Sequence, residues 1–230
     1  MKLTFNKGII HGLPIFLGYL SVSFGFGITA VSSGLNFVQA TLISATNLTS
    51  AGQAAGIEII ATMGGLVEMA LTQFVINLRY ALMGISLSQK LDSSFGVSSR
   101  MITAFGITDE IFALTYSQKS KITPSYMLGM IFISWIGWIS GTLVGALAGS
   151  ILPTIIMGAL GIMLYAMFVA IIVPVAKENN KVLFSCFIAI TLSVIFKYLT
   201  DISVGFTIII CAVVSSVVTA LIFPVAEEQE

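Results

Sequence analysis

Residues 51–87 read AGQAAGIEIIATMGGLVEMALTQFVINLRYALMGISL, an apolar stretch whose formally charged side chains are Glu58, Glu68 and Arg79. As a single helix it would extend about 55 Å at 1.5 Å per residue, nearly twice the hydrocarbon thickness of a bilayer. It must therefore break, and Gly64-Gly65 is the expected point, since adjacent glycines are the weakest helix formers short of proline. A charge at bilayer depth costs about 2.5–3.5 kcal/mol on insertion scales, and such residues face a bundle interior or a wet cavity on a substrate or ion path. The stretch points to a membrane protein whose function lies where its charges find partners.

Outward from that segment the whole chain has the same character. Hydrophobic residues make up 57% of it and charged ones 9%, and apolar runs recur along its length. This predicts an all-α, polytopic integral membrane protein of six to eight transmembrane helices, with discontinuous or re-entrant helices in the N-terminal half. Spans are expected near 9–31, 37–49, 51–63, 65–88, 101–118, 125–149, 153–176, 182–199 and 202–223. Residues 1–230 read as one transmembrane domain, in which 8–122 carries the site and the broken helices and 123–224 serves mainly packing. Lys2 and Lys7 precede the first apolar run as in a signal peptide, but that run is too long for an h-region, and an uncleaved first helix is expected.

Two helix starts are expected at membrane depth. Ser50-Ala51-Gly52-Gln53 has the spelling of a capping box, in which the Ser50 side chain takes the third backbone N–H and Gln53 returns to the Ser50 N–H. Thr108-Asp109-Glu110 offers an N-cap hydroxyl followed by acids in the first turn. Exposed N–H groups of broken helices receive a carboxylate, while unwound carbonyls and acids hold a cation or an ammonium, so the pattern suits a zwitterion. Glu68, Thr72, Val75 and Arg79 share one helix face, but the two charges lie about 16 Å apart along the axis and cannot pair. Asp109 or Glu110 is the natural partner of Arg79. The bland alternatives are a snorkelling Arg79, hydrogen-bonded structural acids at Glu58 and Glu68, and a solvated first turn at Asp109-Glu110. Phe-Gly-Ile-Thr occurs at 26–29 and 105–108, as a repeat mark or by chance.

The second half reads as scaffold. Gly137, Gly141, Gly145 and Gly149 recur every four residues, a ridge for close helix packing within the subunit or against a partner. Trp135 and Trp138 read as lipid-interface or packing aromatics. Lys197 and Asp201 stand four apart, the spacing of a local ion pair. Cys186 and Cys211 have the setting of buried small hydrophobes, and His11 is the one histidine, open to a proton-linked role. An intramembrane enzyme finds no HExxH or GxSxG to work with. A cation or metal carrier built on Glu58, Glu68, Asp109 and methionines stays open, as does an accessory subunit with no path of its own.

Gly12-Leu13-Pro14, Phe24-Gly25-Phe26-Gly27, the Ser44–Gln53 stretch, Asn77-Leu78-Arg79-Tyr80 and Thr108-Asp109-Glu110 occur in an order that resembles the AzlC family of branched-chain amino-acid permeases and exporters, over residues 8 to about 175. In that family His typically follows Asn-Leu-Arg; Tyr80 stands there here, so an imidazole role at that position is not available. The resemblance implies efflux of valine, leucine, isoleucine or a similar hydrophobic amino acid from a bacterial cytoplasmic membrane, with a small AzlD-type membrane subunit as partner. A homo-oligomer is also open; neither a cofactor, a metal nor nucleic acid is expected. A carboxylate cradle at Ser50, Gly52 and Gln53, an ammonium acceptor among Glu58, Asp109 and Glu110, and contributions from Asn77, Arg79 and Thr108 form the expected binding set. Glu58, Glu68 and Asp109 are the candidates for ion or proton coupling. Lys2, Lys7, Lys119, Lys121, Lys177 and Lys181 favour cytoplasmic termini. Lys90 and Arg100 join that side only if 101–118 does not cross.

Overall fold

A computed structural model describes residues 3–149, 153, 155, 169 and 172–224. The elements are α1 (Phe5–Ser32), α2 (Phe37–Thr46), α3 (Ala51–Ala61), α4 (Leu66–Ser88), α5 (Val97–Phe105), α6 (Asp109–Tyr116), α7 (Pro124–Gly149), α8 (Asn180–Leu199) and α9 (Val204–Ile222). Residues 172–178 are also helical. Among the described residues no strand forms, and the one isolated bridge pairs Leu91 with Ile122. Helices α1, α4, α7, α8 and α9 are long and apolar enough to cross a membrane, so the protein is an all-α polytopic membrane protein. The span expected at 153–176 lies almost wholly outside the described residues.

The chain divides into two compact units, Met1–Ala54 with Asn77–Leu164, and Ala55–Ile76 with Tyr165–Glu230. The first is built on α1 and α7. An ideal Cβ on Gly137, Gly141 or Gly145 would lie 2.7 Å from Phe16 O, 2.4 Å from Leu20 O or 2.0 Å from Phe24 O. The contacts advance together by four residues on each helix, so α1 and α7 run parallel with their backbones touching. Gly8, Gly12 and Gly27 make the reciprocal approach from α1, against Tyr126 O, Met130 O and Thr142 O. The ridge read from the sequence is thus an intrasubunit seam, and small residues let dispersion contacts accumulate where lipid offers no hydrophobic drive.

Short helices bring their ends to the middle of this seam. The end of α2 reaches α7 through Trp135 Nε1, which donates to Ala45 O at 3.0 Å. The gap between α5 and α6 lies against Ile131, whose side chain an ideal Cβ at Gly106 would meet at 2.3 Å. Beyond α6 the chain returns to where α4 ended: Asp92 N donates to Ile122 O and Ile122 N to Lys90 O, both at 2.9 Å. Lys121 Nζ donates to Gln89 O at 2.8 Å, and Thr123 Oγ1 to Leu3 O at 2.5 Å. Residues 97–116 therefore enter and leave at one end of the unit, beside the start of α1, and the expected span at 101–118 is a pair of short helices, α5 and α6.

In the second unit α8 and α9 are neighbours, with the rings of Phe184 and Phe223 edge to face at 5.6 Å. No residue of α8 is buried, which suits an apolar helix facing lipid. The break after α3 occurs where expected, but its left-handed residue is Met63 (φ 56°). Gly64 N donates to Ile59 O and Met63 N to Ile60 O, the bond pattern of a Schellman cap with Met63 in the position glycine usually fills. Among the described residues Lys197 and Asp201 form no ion pair. Helix α8 ends at Leu199 and Thr200 turns to extended backbone, so the four-residue helical spacing is lost; Lys197 lies over the Tyr198 ring instead.

The seam makes a simple prediction. Gly145→Ala should lower the melting temperature of the detergent-solubilised protein, by an overpacking cost of about 1–3 kcal/mol. Gly18→Ala, whose Cβ meets none of the described residues within 4 Å, should leave it unchanged or raise it, because alanine is the better helix former. Equal melting of the two variants would contradict the seam.

Candidate functional site

Two of the expected helix starts exist, and they are built differently. Thr108 is the N-cap of α6, its side chain accepting from Ile111 N at 3.4 Å, with Asp109 and Glu110 in the first turn as read from the sequence. The capping box at Ser50–Gln53 is not formed. Ser50 has φ 42°, whereas a capping residue needs extended backbone. Gln53 turns inward, its Nε2 donating to Ser44 Oγ at 3.1 Å. A capping box does occur one helix earlier, between Asn36 and Gln39 at the start of α2, where the sequence reading placed none. Phe-Gly-Ile-Thr lies inside continuous α1 in its first copy and at the α5–α6 break in its second, so it marks no common structural position.

The acids of α6 are tied to two other helices. Arg79 Nη1 meets Asp109 Oδ2 at 2.5 Å, so of the two partners considered the structure selects Asp109. Arg79 Nη2 donates to Tyr80 Oη at 3.1 Å, and the guanidinium lies 4.9 Å over that ring. Tyr80 in turn donates to Thr49 O at 3.4 Å, at the α2–α3 break. The Tyr19 hydroxyl of α1 lies 2.6 Å from both Thr108 Oγ1 and Glu110 Oε2. One proton cannot serve both, so Tyr19 donates to the carboxylate and accepts from Thr108, whose oxygen keeps its bond from Ile111 N. A continuous set of contacts thus joins both breaks: Thr49, Tyr80, Arg79, Asp109, Thr108, Glu110 and Tyr19. Asp109 and Glu110 each thus have a partner on another helix, and so does Arg79.

An uncharged cluster joins α2 and α3 to α7. Ser44 Oγ and Thr142 Oγ1 are 2.7 Å apart, and Gln53 completes the chain from the α2–α3 break. Trp138 is buried, edge-on to Tyr19 at 5.2 Å and tilted against Phe26 at 6.4 Å, so it is a packing aromatic and not a lipid-interface one. Trp135 is half-buried. The sequence reading did not single out Tyr19, Ser44 or Thr142. A usable signal was present: Tyr19 and Ser23 stand one turn apart on α1, as Trp138 and Thr142 do on α7, beside the glycines that bring the helices together.

The remaining site candidates are placed as follows. Gly52 is buried, with its N–H bonded to Thr49 O, and Asn77 is half-buried on α4. His11 Nδ1 is 2.8 Å from the Tyr126 hydroxyl, at a cleft of about 490 Å³ also lined by Lys7 and Lys119. In the second unit Glu58 is exposed on α3. Glu68 is buried, and its Oε1 accepts from Gly205 N at 2.9 Å. Ser203, the N-cap of α9, makes no side-chain capping bond, so Glu68 supplies from α4 an acceptor for one of the open N–H groups at the start of α9.

These features define an all-α membrane protein in which the polar ends of two helix breaks are linked through α4 and held against a glycine-seamed pair. The AzlC protein family model matches residues 14–152. The chain is 30% identical over 186 residues to "Inner membrane protein YgaZ" of Escherichia coli, covering 77% of this chain and 76% of that one. It is 33% identical over 178 residues to an uncharacterized membrane protein of Archaeoglobus fulgidus, covering 76% and 78%. It is 22% identical over 182 residues to "Branched-chain amino acid transport protein AzlC" of Bacillus subtilis, covering 77% and 70%. No solved structure gives a significant match. The chain belongs to the AzlC family.

Two predictions follow from the pairings. Arg79→Gln and Asp109→Asn should each lower transport about tenfold or more, while the double variant should be no worse than either single one, because coupled residues are non-additive; additive losses in a flux assay would show separate roles. Glu68→Gln keeps an oxygen for Gly205 N and should melt near the wild type, whereas Glu68→Leu should lose about 1–3 kcal/mol, the cost of an orphaned buried N–H.

Proposed function

We propose that the chain is a secondary carrier that exports branched-chain or other hydrophobic amino acids, including valine, leucine, isoleucine and methionine, across the bacterial cytoplasmic membrane. The observation that carries this reading is the linkage of two helix breaks, at Thr49–Gln53 and Gly106–Thr108, to each other through Tyr80, Arg79 and Asp109 and to the α1–α7 pair through Tyr19 and Thr142. Interrupted backbone at depth is tolerated where it lines a binding cavity, and the name of the Bacillus subtilis relative supplies the substrate class.

Ser50, Gly52 and Gln53 on one break, Thr108, Asp109 and Glu110 on the other, and Asn77 and Arg79 on α4 line the proposed path. The Arg79–Asp109 and Tyr19–Glu110 contacts latch α6 to α4 and α1. Opening and closing them would change access to the centre, and Asp109 is the coupling acid best placed to sense that change. Glu68 is already engaged at α9, which supports a positioning role, and Glu58 remains a coupling candidate. The ends of 91–122 gather beside the start of α1 together with Lys90, Lys119 and Lys121. With Lys and Arg enriched on the inner side, this supports a cytoplasmic N-terminus and a re-entrant α5–α6. A small AzlD-type membrane protein is the proposed partner.

The test is retention of radiolabelled valine, leucine, methionine and alanine in cells expressing the chain, with and without the small partner. Faster loss of the branched-chain substrates with the partner present is the expected result. Unchanged retention of every amino acid in both conditions would overturn the proposal.

A further inference from the structure

A carrier site must offer hydrogen-bonding capacity that the protein itself has not used, and the charged residues of the first unit offer little. Arg79 and Asp109 hold each other, and Glu110 is held by Tyr19. The open capacity lies deeper. Among the described residues Ser23 Oγ, Gln53 Oε1 and Trp138 Nε1 find no hydrogen-bond partner, in residues only 0%, 2% and 1% exposed. Native proteins leave few buried polar atoms unpaired, and each such atom calls for an occupant or a function. The cost of leaving them so is higher where the surroundings are apolar.

The three belong to one place in the fold. Ser23 lies against Gly141, where an ideal Cβ would come 2.1 Å from its Oγ. Gln53 reaches Thr142 through Ser44. Trp138 stands one helical turn before Thr142. All three are therefore placed at or beside residues 138–142 of α7, a rise of about 6 Å. Their chemistry is also complementary: the indole N–H is a donor only, the amide oxygen an acceptor only, and the serine hydroxyl either. The amide of Gln53 presents one free end whichever way it is turned, because Ser44 occupies the other.

Resting on the amino-acid reading above, we propose that Trp138 and Ser23 receive the carboxylate of the transported amino acid and Gln53 its ammonium, beside residues 138–142 of α7. The rings of Tyr19 and Phe26, already packed around Trp138, supply the apolar wall for the side chain. Charge recognition is then made by neutral groups, and the ion pairs of α4 and α6 serve as latches and not as ligands. Neutral dipoles fit a carrier's need to release what it binds, since they hold a zwitterion less tightly than fixed opposite charges do.

The experiment measures binding of three probes to the purified protein in nanodiscs: L-valine, isobutylamine (valine without its carboxylate) and isovalerate (valine without its ammonium). Trp138→Phe and Ser23→Ala should weaken valine and isovalerate by about tenfold while leaving isobutylamine unchanged. Gln53→Leu should weaken valine and isobutylamine and spare isovalerate. Ser23→Ala removes one oxygen only and guards against a loss of fold in the larger substitutions. Wild-type valine affinity in all three variants, or an equal weakening of all three probes, would overturn the assignment. Absence of valine binding by the wild-type protein would instead overturn the amino-acid reading on which it rests.

Discussion

The backbone contact between α1 and α7 is the constraint on which the rest of the first unit depends. Once Phe16, Leu20 and Phe24 carbonyls lie against Gly137, Gly141 and Gly145, the two helices are fixed in direction and in register. Their partly polar faces can then be shared only by elements that approach the pair from outside. Full-length helices would cover that surface with apolar side chains. Short helices can end on it, bringing polar termini and capping groups to the middle of the seam, as α2 and α6 do. The site is thus a consequence of packing: small residues draw the backbones together, and the neighbours that complete the bundle are the ones that stop at its centre.

The two breaks store different things. At Gly106–Thr108 the chain uses ordinary capping, with extended backbone at Thr108 and a hydroxyl bonded to Ile111 N, so α6 starts in a relaxed state. At Ser50 a non-glycine residue sits at φ 42°, a left-handed conformation that costs about 1–2 kcal/mol. Strain of this kind persists where surrounding contacts over-determine it, and here they include Tyr80 on Thr49 O and Gln53 on Ser44. The unstrained break carries the charges and the strained one carries the uncharged amide. A conformational change that releases α3 would recover the strain energy, whereas moving α6 would require exchanging ion-pair and hydrogen-bond partners.

Much of this was legible in the residues because the signals were local. The glycine ridge, the Gly64-Gly65 neighbourhood of the α3–α4 break, and the Thr108 cap with its two acids are each written within a few positions. What escaped was long-range. Nothing near Gln53 says that its amide turns to Ser44 in place of closing a capping box on Ser50, because that choice depends on α7 placing Thr142 beyond Ser44. Nothing near Glu68 announces Gly205, which lies 137 positions away. Met63 took the left-handed position beside two glycines that could have adopted it more cheaply, and no local propensity accounts for that.

Ionisable residues at bilayer depth drew attention first, since each is costly and must have a reason. Their reasons prove unequal. Glu68 completes the start of α9, a task a scaffold requires whether or not anything is transported. Arg79 and Asp109 join α4 to α6 across the α5–α6 break, and their value to a carrier lies in being able to separate. A charge satisfied within the protein is evidence of architecture or of gating; evidence of a ligand lies in valences that remain open. By that criterion the groups of the first unit that a ligand would engage are the Trp138 indole, the Gln53 amide and the Ser23 hydroxyl, in preference to its acids and its arginine.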